Sequence, residues 1–257
     1  MQGSQQQQAY DRGITIFSPD GRLYQVEYAR EAVKRGTASI GVRAEDGVVL
    51  LVDKRIRSSL MEQSSVEKLH KADDHVGMAS AGHVADARQL IDFARRQAQV
   101  NQLRYGEPIG VETLTKDVTD HIQQYTQVGG ARPFGVALII GGIEDGEPRL
   151  YETDPSGTPY EWQAIAVGED RSAIQGYLED NYREDLDIGE GVDLALRALG
   201  EVRDQLTPDG VDVATVDAES RSFVALTDGE LGEYLADHDL LPGEDDESAS
   251  DAGEGDE

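Results

Sequence analysis

Cysteine is absent from the 257-residue chain. Its absence excludes disulfides, thiolate nucleophiles and cysteine-ligated zinc or iron–sulfur sites. Long apolar runs are absent too: nowhere do about 18 apolar residues follow one another, as a membrane-spanning helix requires. The start of the chain lacks the basic and apolar regions of a secretory signal. We therefore expect a soluble, cytoplasmic protein that does not bind membranes.

Basic residues are scarce relative to acidic ones, with 23 Lys and Arg against 51 Asp and Glu and a net charge of −28. Such an excess repels phosphate backbones and argues against a nucleic-acid partner. Residues 237–257 hold ten of the acids and no base, but without them 41 acids still face 23 bases, a charge of −18. Molar salt shortens the screening length to about 3 Å, which suppresses this self-repulsion. We interpret the composition as halophilic.

Common catalytic signatures are also missing. The five histidines form neither an H-E-x-x-H nor an H-x-H pair, and no Walker A lysine or G-x-G-x-x-G motif is present. The residues around Ser80 lack the spacing of a nucleophile elbow. Carboxylates are so numerous that closeness in sequence cannot single out an acid–base pair. We predict no metal site and no cofactor.

The hydrophobic periodicity predicts alternating groups of strands and helices. We expect helices at residues 23–35, 84–104, 112–127, 171–182, 191–206 and 227–236, and strands at 37–43, 47–53, 75–81, 134–143, 149–153, 162–167, 211–216 and 222–226. Asp-Gly turns at 45–47 and 144–146 predict hairpins, and therefore antiparallel sheets. Helices that arrive in pairs cover outer sheet faces, so we predict an α+β fold, a four-layer αββα sandwich.

Composition divides the chain into three parts. Residues 1–12 are polar and glutamine-rich, and we expect them to be mobile. Residues 13–236 carry the apolar periodicity and form one domain. Residues 237–257 are expected to be a disordered acidic tail.

One constellation of residues is typical of chemistry. Thr37 opens the first predicted strand, Asp53 ends the second, and Lys68 follows after a loop. In N-terminal nucleophile hydrolases a threonine so placed attacks an amide, with its own free amine as base and with an acid and a lysine to tune it. The nitrogen of Thr37 is an amide unless residues 1–36 are removed. A self-processing hydrolase, a non-catalytic relative and a free-standing acidic binding module all remain open on these residues.

A long segment resembles a known family. AYDRGITIFSPDGRLYQVEYAR at 9–30 is similar to the signature that opens α-type subunits of the archaeal proteasome, and SVEK at 65–68, GHVADA at 82–87, QYTQ at 124–127 and RPFG at 132–135 are similar to further family motifs. The resemblance implies the αββα fold of N-terminal nucleophile hydrolases. It also implies a non-catalytic subunit, in which Thr37, Asp53 and Lys68 are a shared ancestral scaffold.

The same resemblance implies partners. Such subunits form seven-membered α rings that stack on β rings and gate the admission of unfolded protein substrates to the proteolytic chamber. Regulatory AAA ATPases of the family dock through C-terminal tails that end in hydrophobic-Tyr-any residue.

Three groups of site residues follow from the resemblance. In the tail pocket Lys68 is expected to supply the cation for the terminal carboxylate, Gly82 to allow close backbone approach and Val84 to add an apolar wall. The gate is expected at Tyr10, Asp11, Pro19 and Tyr28, and the fixed constriction at Val128, Gly129, Gly130 and Ala131.

Overall fold

The computed structural model describes residues 17, 21–56, 58, 60–127, 131–237 and 240–241. The helices are α1 Tyr24–Lys34, α2 Val84–Tyr105, α3 Val111–Gln127, α4 Arg171–Asn181, α5 Ile188–Gly200 and α6 Asp228–Asp237. The strands are β1 Ser39–Arg43, β2 Gly47–Asp53, β3 Leu69–Asp73, β4 Val76–Gly82, β5 Val136–Glu144, β6 Glu147–Thr153, β7 Pro159–Glu161, β8 Ala164–Val167, β9 Val211–Asp217 and β10 Ser222–Ala225.

The strands form two antiparallel sheets. The first has the order β10-β9-β2-β1-β8 and the second β3-β4-β5-β6-β7. Both predicted hairpins are present, because β1 pairs with β2 and β5 with β6. At the β5–β6 turn Asp145 and Gly146 both have positive φ, of 53° and 86°. A turn with positive φ at both central residues matches the twist of the flanking strands, and Asp-Gly is favoured there because both residues tolerate positive φ.

The two sheets pack face to face, and helices cover both outer faces. Along β2, Val48, Leu50 and Val52 lie in the core between the sheets, whereas Val49 and Leu51 pack on α4 and α5. Helices α2 and α3 cover the outer face of the second sheet. This arrangement confirms the predicted α+β class and the four-layer αββα sandwich.

Several boundaries differ from the sequence prediction. Strands β3 and β7 were not predicted; β3 has a polar sequence and lies at a sheet edge, and β7 has three residues. Helix α5 begins earlier than expected because Asp187 and Glu190 form a capping box, and it ends at Gly200 instead of 206. The predicted box at Thr227 and Glu230 is present: the Thr227 N–H donates to Glu230 Oε2 at 2.8 Å.

The predicted terminal segments lie largely outside the described residues. This applies to residues 1–12 and to the acidic end from 242 onwards. Leu240 packs on the helix layer of α5, and its carbonyl accepts the Leu206 N–H at 2.8 Å. Within the described part of the chain, no helix is both long and apolar enough to cross a membrane.

Two glycines let three backbone segments meet at one end of the sandwich. Gly36 joins α1 to β1, and a Cβ there would lie 2.2 Å from the nitrogen of Gly82. Gly82 ends β4 with φ +117°, a conformation that favours glycine, and a Cβ there would lie 2.3 Å from the Gly135 oxygen. The end of α1 is therefore pressed against β4 and against the segment that precedes β5.

Substitution of Gly36 tests this junction. We expect Gly36→Ala to lower the free energy of unfolding by about 1–3 kcal/mol, because a main-chain neighbour must shift. Gly176→Ala in α4 is the matched control: the added methyl meets open space, and we expect a gain of about 0.5–1 kcal/mol. Urea unfolding in concentrated KCl measures both, and equal effects would contradict the close approach.

Candidate functional site

A cavity of about 880 Å³ lies at this junction. It is lined by Tyr28 of α1, by Thr37, by Lys68, by Gly82 and by Val84, the first residue of α2. The structure thus brings together the three residues of the predicted tail pocket, one predicted gate residue and the candidate nucleophile. Within the described part of the chain, no cluster of three or more His, Asp or Glu side chains could hold a metal ion.

Lys68 lies inside the sandwich. Its carbonyl accepts the Ser80 N–H of β4 at 3.0 Å, which ties its main chain to the second sheet. Its ammonium lies 2.7 Å from Thr37 Oγ1 and 2.9–3.0 Å from the carbonyl oxygens of Thr37, Ala38 and Asp53. The residue is 6% exposed. The cation expected in the tail pocket therefore belongs to a residue that lines the cavity, but it donates to oxygens of the two residues before β1 and of the last residue of β2.

The environment of Lys68 shifts its protonation. Burial lowers its pKa to about 7, although Asp53, Glu169 and Asp212 act in the opposite direction. A lysine exposed to water keeps its proton far above neutral pH. Burial thus makes the Lys68 ammonium easier to deprotonate than an exposed lysine.

The Asp53 carboxylate is bound by an arginine that sequence reasoning missed. Arg203 reaches Asp53 Oδ2 through Nη2 at 2.8 Å and through Nε at 3.2 Å. Arg203 also pairs with Glu169 and with Asp170, and Arg55 pairs with Glu169. Because 150 residues separate Arg203 from Asp53, no local pattern marks the pair. Lys68 donates to the main-chain carbonyl oxygen of Asp53, whereas the carboxylate of Asp53 accepts from Arg203.

Thr37 keeps the side-chain geometry of a nucleophile without its amine. Its hydroxyl donates to the Asp53 carbonyl at 2.7 Å and accepts from Lys68. Its nitrogen belongs to the peptide bond with Gly36, and the Gly36 carbonyl accepts the Glu169 N–H at 2.7 Å. The Gly36–Thr37 peptide bond is thus part of the site, and while it is intact Thr37 has no free α-amine.

The predicted gate residues are only partly described. Tyr28 is 51% exposed on α1. Two residues further on, Arg30 binds both carboxylate oxygens of Asp154 at 2.9 Å and Glu27 at 2.6 Å, which anchors α1 to the turn after β6. The other gate residues, Tyr10, Asp11 and Pro19, lie outside the described residues.

The predicted constriction is described at its C-terminal side. Arg132, next to Ala131, donates to both oxygens of Asp86 at 2.6 and 2.7 Å, and Asp86 also accepts the Gly135 N–H at 2.8 Å. Burial raises the pKa of Asp86, but these donors outweigh burial and lower it. The segment is therefore clamped to the first turn of α2. Outside the described residues lie Val128, Gly129 and Gly130.

Comparison with known proteins decides the family. The family model described as "Proteasome subunit" matches residues 33–216, and a second model, for the N-terminal signature of A-type proteasome subunits, matches residues 10–32. This chain belongs to the proteasome α-subunit family. The signature match ends within α1 at residue 32, four residues before Gly36.

Several curated α subunits of halophilic archaea are similar over almost their whole length. The proteasome alpha 1 subunit of Haloarcula marismortui is 76% identical over 98% of both chains. The proteasome alpha subunit of Natronomonas pharaonis is 76% identical over 98% of this chain and 99% of its own. The proteasome alpha 1 subunit of Haloferax volcanii is 74% identical over 96% of this chain and 98% of its own.

The lowered pKa of Lys68 predicts a specific pH dependence of stability. Between about pH 7 and the ordinary lysine value of 10.5, the unfolded chain binds a proton that the folded chain does not. The free energy of unfolding of the wild type should therefore rise with pH in this window, relative to Lys68→Met. Urea unfolding at several pH values measures the difference.

Lys116→Met supplies the control for this titration. Lys116 is exposed on α3, and its hydrogen bond to Glu112 raises its pKa. Its removal should leave the slope between pH 7 and 10 unchanged. Parallel profiles for wild type and Lys68→Met would show that the Lys68 pKa is not lowered.

Proposed function

We propose that this chain is a non-catalytic subunit that assembles with further α subunits into a seven-membered ring of a cytoplasmic 20S proteasome core. The ring stacks on proteolytic β subunits and controls the passage of unfolded proteins into their chamber. The observation that carries the proposal is the intact signature and helix α1 ahead of Thr37, within a chain of the α-subunit family. A protein that keeps this segment can shape an opening but has no N-terminal threonine.

The geometry also supports inactivity over the alternative of a self-processing threonine hydrolase. The distance of 2.7 Å between Lys68 Nζ and Thr37 Oγ1 favours the alternative. Against it stand the peptide bond at the Thr37 nitrogen and the engagement of the Asp53 carboxylate by Arg203. Helix α1 buries Val26, Ala29 and Val33, so its removal would expose part of the core. Helix α1, which precedes Thr37, is therefore a structural part of this subunit.

The cavity supports docking of a C-terminal tail of a regulatory AAA ATPase. Its basic lining residues are Arg35, Arg55 and Lys68, against the acidic Glu31 and Glu67. On a chain of net charge −28, a cavity with more bases than acids is suited to a carboxylate. Exposed apolar groups at its rim, Val84 and Met61, suit the hydrophobic residue of such a tail.

We assign the gate to residues 1–12 together with Tyr28. Tyr28 lines the cavity, so a tail bound there touches the helix that follows the gate segment. Docking can shift the gate only if the tail binds one gate state better than the other. The segment 128–131 then forms a constriction below the gate.

Truncation tests the gate. Deletion of residues 2–12 should raise peptide hydrolysis by the particle assembled with β subunits several-fold without an ATPase, since the barrier to passage is removed. Fluorogenic peptide cleavage measures the rate, and ring assembly is checked by electron microscopy. An unchanged rate would remove these residues from the gate. Hydrolysis by α rings alone would support Thr37 as a nucleophile and contradict the proposal.

Loss of Lys68 tests the docking site. Lys68→Ala should raise the ATPase concentration needed for half-maximal stimulation about tenfold or more, because a hydrogen bond between charged groups is worth about 1.5–3 kcal/mol. Lys71→Ala is the control. Lys71 lies on β3, its side chain is exposed and paired with Asp74, and the variant should respond as wild type. An equal response of both variants would place the tail elsewhere.

A further inference from the structure

We propose that the Thr37 hydroxyl is a positioning group that holds the Lys68 ammonium inside the sandwich while the cavity is empty. A docking carboxylate must then compete with this contact before it gains the cation. The inference rests on the proposed docking function and names a control element within that site.

All hydrogen-bond donors of the Lys68 ammonium already have acceptors. A lysine ammonium has three donors, and four oxygens lie within 2.7–3.0 Å of Nζ. The shortest contact is to Thr37 Oγ1, and that oxygen is also the only one of the four that belongs to a side chain. An arriving carboxylate can bond the ammonium only by displacing one of these acceptors or by drawing the ammonium towards itself.

The side chain of Lys68 can move while its main chain stays in place. The backbone is tied to β4 through the Ser80 N–H, whereas all four Nζ partners belong to the end of β2 or to the two residues before β1. Both Lys68 and Thr37 line the cavity in which a tail would lie. Two arrangements follow, one facing the strands and one facing the cavity.

The Thr37 hydroxyl biases these two arrangements. It donates to the Asp53 carbonyl, which fixes the direction of its lone pairs towards Lys68. The three carbonyls remain in any variant, so the hydroxyl is the one acceptor that a substitution can remove. Without it the inward arrangement loses its shortest contact and keeps only the three longer ones to main-chain carbonyls, so the equilibrium moves towards the cavity. Thr37 would thereby position Lys68 through its hydroxyl, a role that does not require its amine.

The test uses the particle assembled with β subunits and a synthetic peptide that ends in Leu-Tyr-Ala with a free carboxylate. Thr37→Val keeps the volume and removes the acceptor; we expect it to bind the peptide about tenfold more tightly. Thr37→Ser retains the hydroxyl and should bind as wild type. In a Lys68→Ala background Thr37→Val should have no effect, and a peptide with an amidated C-terminus should not distinguish the variants. Thr37→Ala replaces Thr37→Val if the valine variant does not assemble.

Each outcome separates this inference from the docking proposal. If Lys68→Ala binds the peptide as wild type does, the docking site itself is wrong. If Lys68→Ala weakens binding but Thr37→Val binds like wild type or more weakly, docking stands and the role of Thr37 is overturned. Tighter binding that persists without Lys68 would also overturn it, because the effect would not pass through the ammonium.

Discussion

The approach of Gly36 to the main chain of Gly82 is the contact from which the geometry of the cavity follows. A side chain at Gly36 would push the end of α1 away from β4, and one at Gly82 would push β4 away from the segment that precedes β5. The same contact packs α1 against the sheets, where Val33 joins the core between them. Burial of an aliphatic side chain contributes about 1.5–3 kcal/mol. The segment that blocks the threonine amine is thus held in place by the fold itself.

Around Thr37 the buried charged groups have two separate sets of partners. Arg203 neutralises Asp53, and Lys68 is surrounded by three carbonyls and the Thr37 hydroxyl. Buried charges persist only when they are paired or bonded in this way. The Thr37 hydroxyl and the Lys68 amine lie 2.7 Å apart, while the Thr37 nitrogen is part of a peptide bond. Side-chain geometry alone therefore does not distinguish a threonine nucleophile from a threonine without a free amine; the state of one backbone nitrogen does.

Sequence patterns predicted the layers because periodicity reports which face of an element is buried. They missed β3 and β7, since a polar edge strand and a three-residue strand carry no apolar alternation. The early start of α5 had a readable signal, the Asp187 and Glu190 capping box, which apolar spacing alone overlooked. Residue types at the site were predicted from the resemblance, but the inward direction of Lys68 was not. That direction and the Arg203 pair depend on chain segments that only folding brings together.

The two-pronged ion pair between Arg132 and Asp86 has a consequence for the mechanics of the outer helix layer. It fastens the chain after residues 128–131 to the rigid start of a long helix, with both guanidinium nitrogens and a main-chain N–H on one carboxylate. Because Gly135 directly precedes β5, this one carboxylate couples a helix of the outer layer to a strand of the sheet beneath it. A tilt of α2 would therefore be passed on to the first residues of β5, and the two elements should move together as one rigid unit.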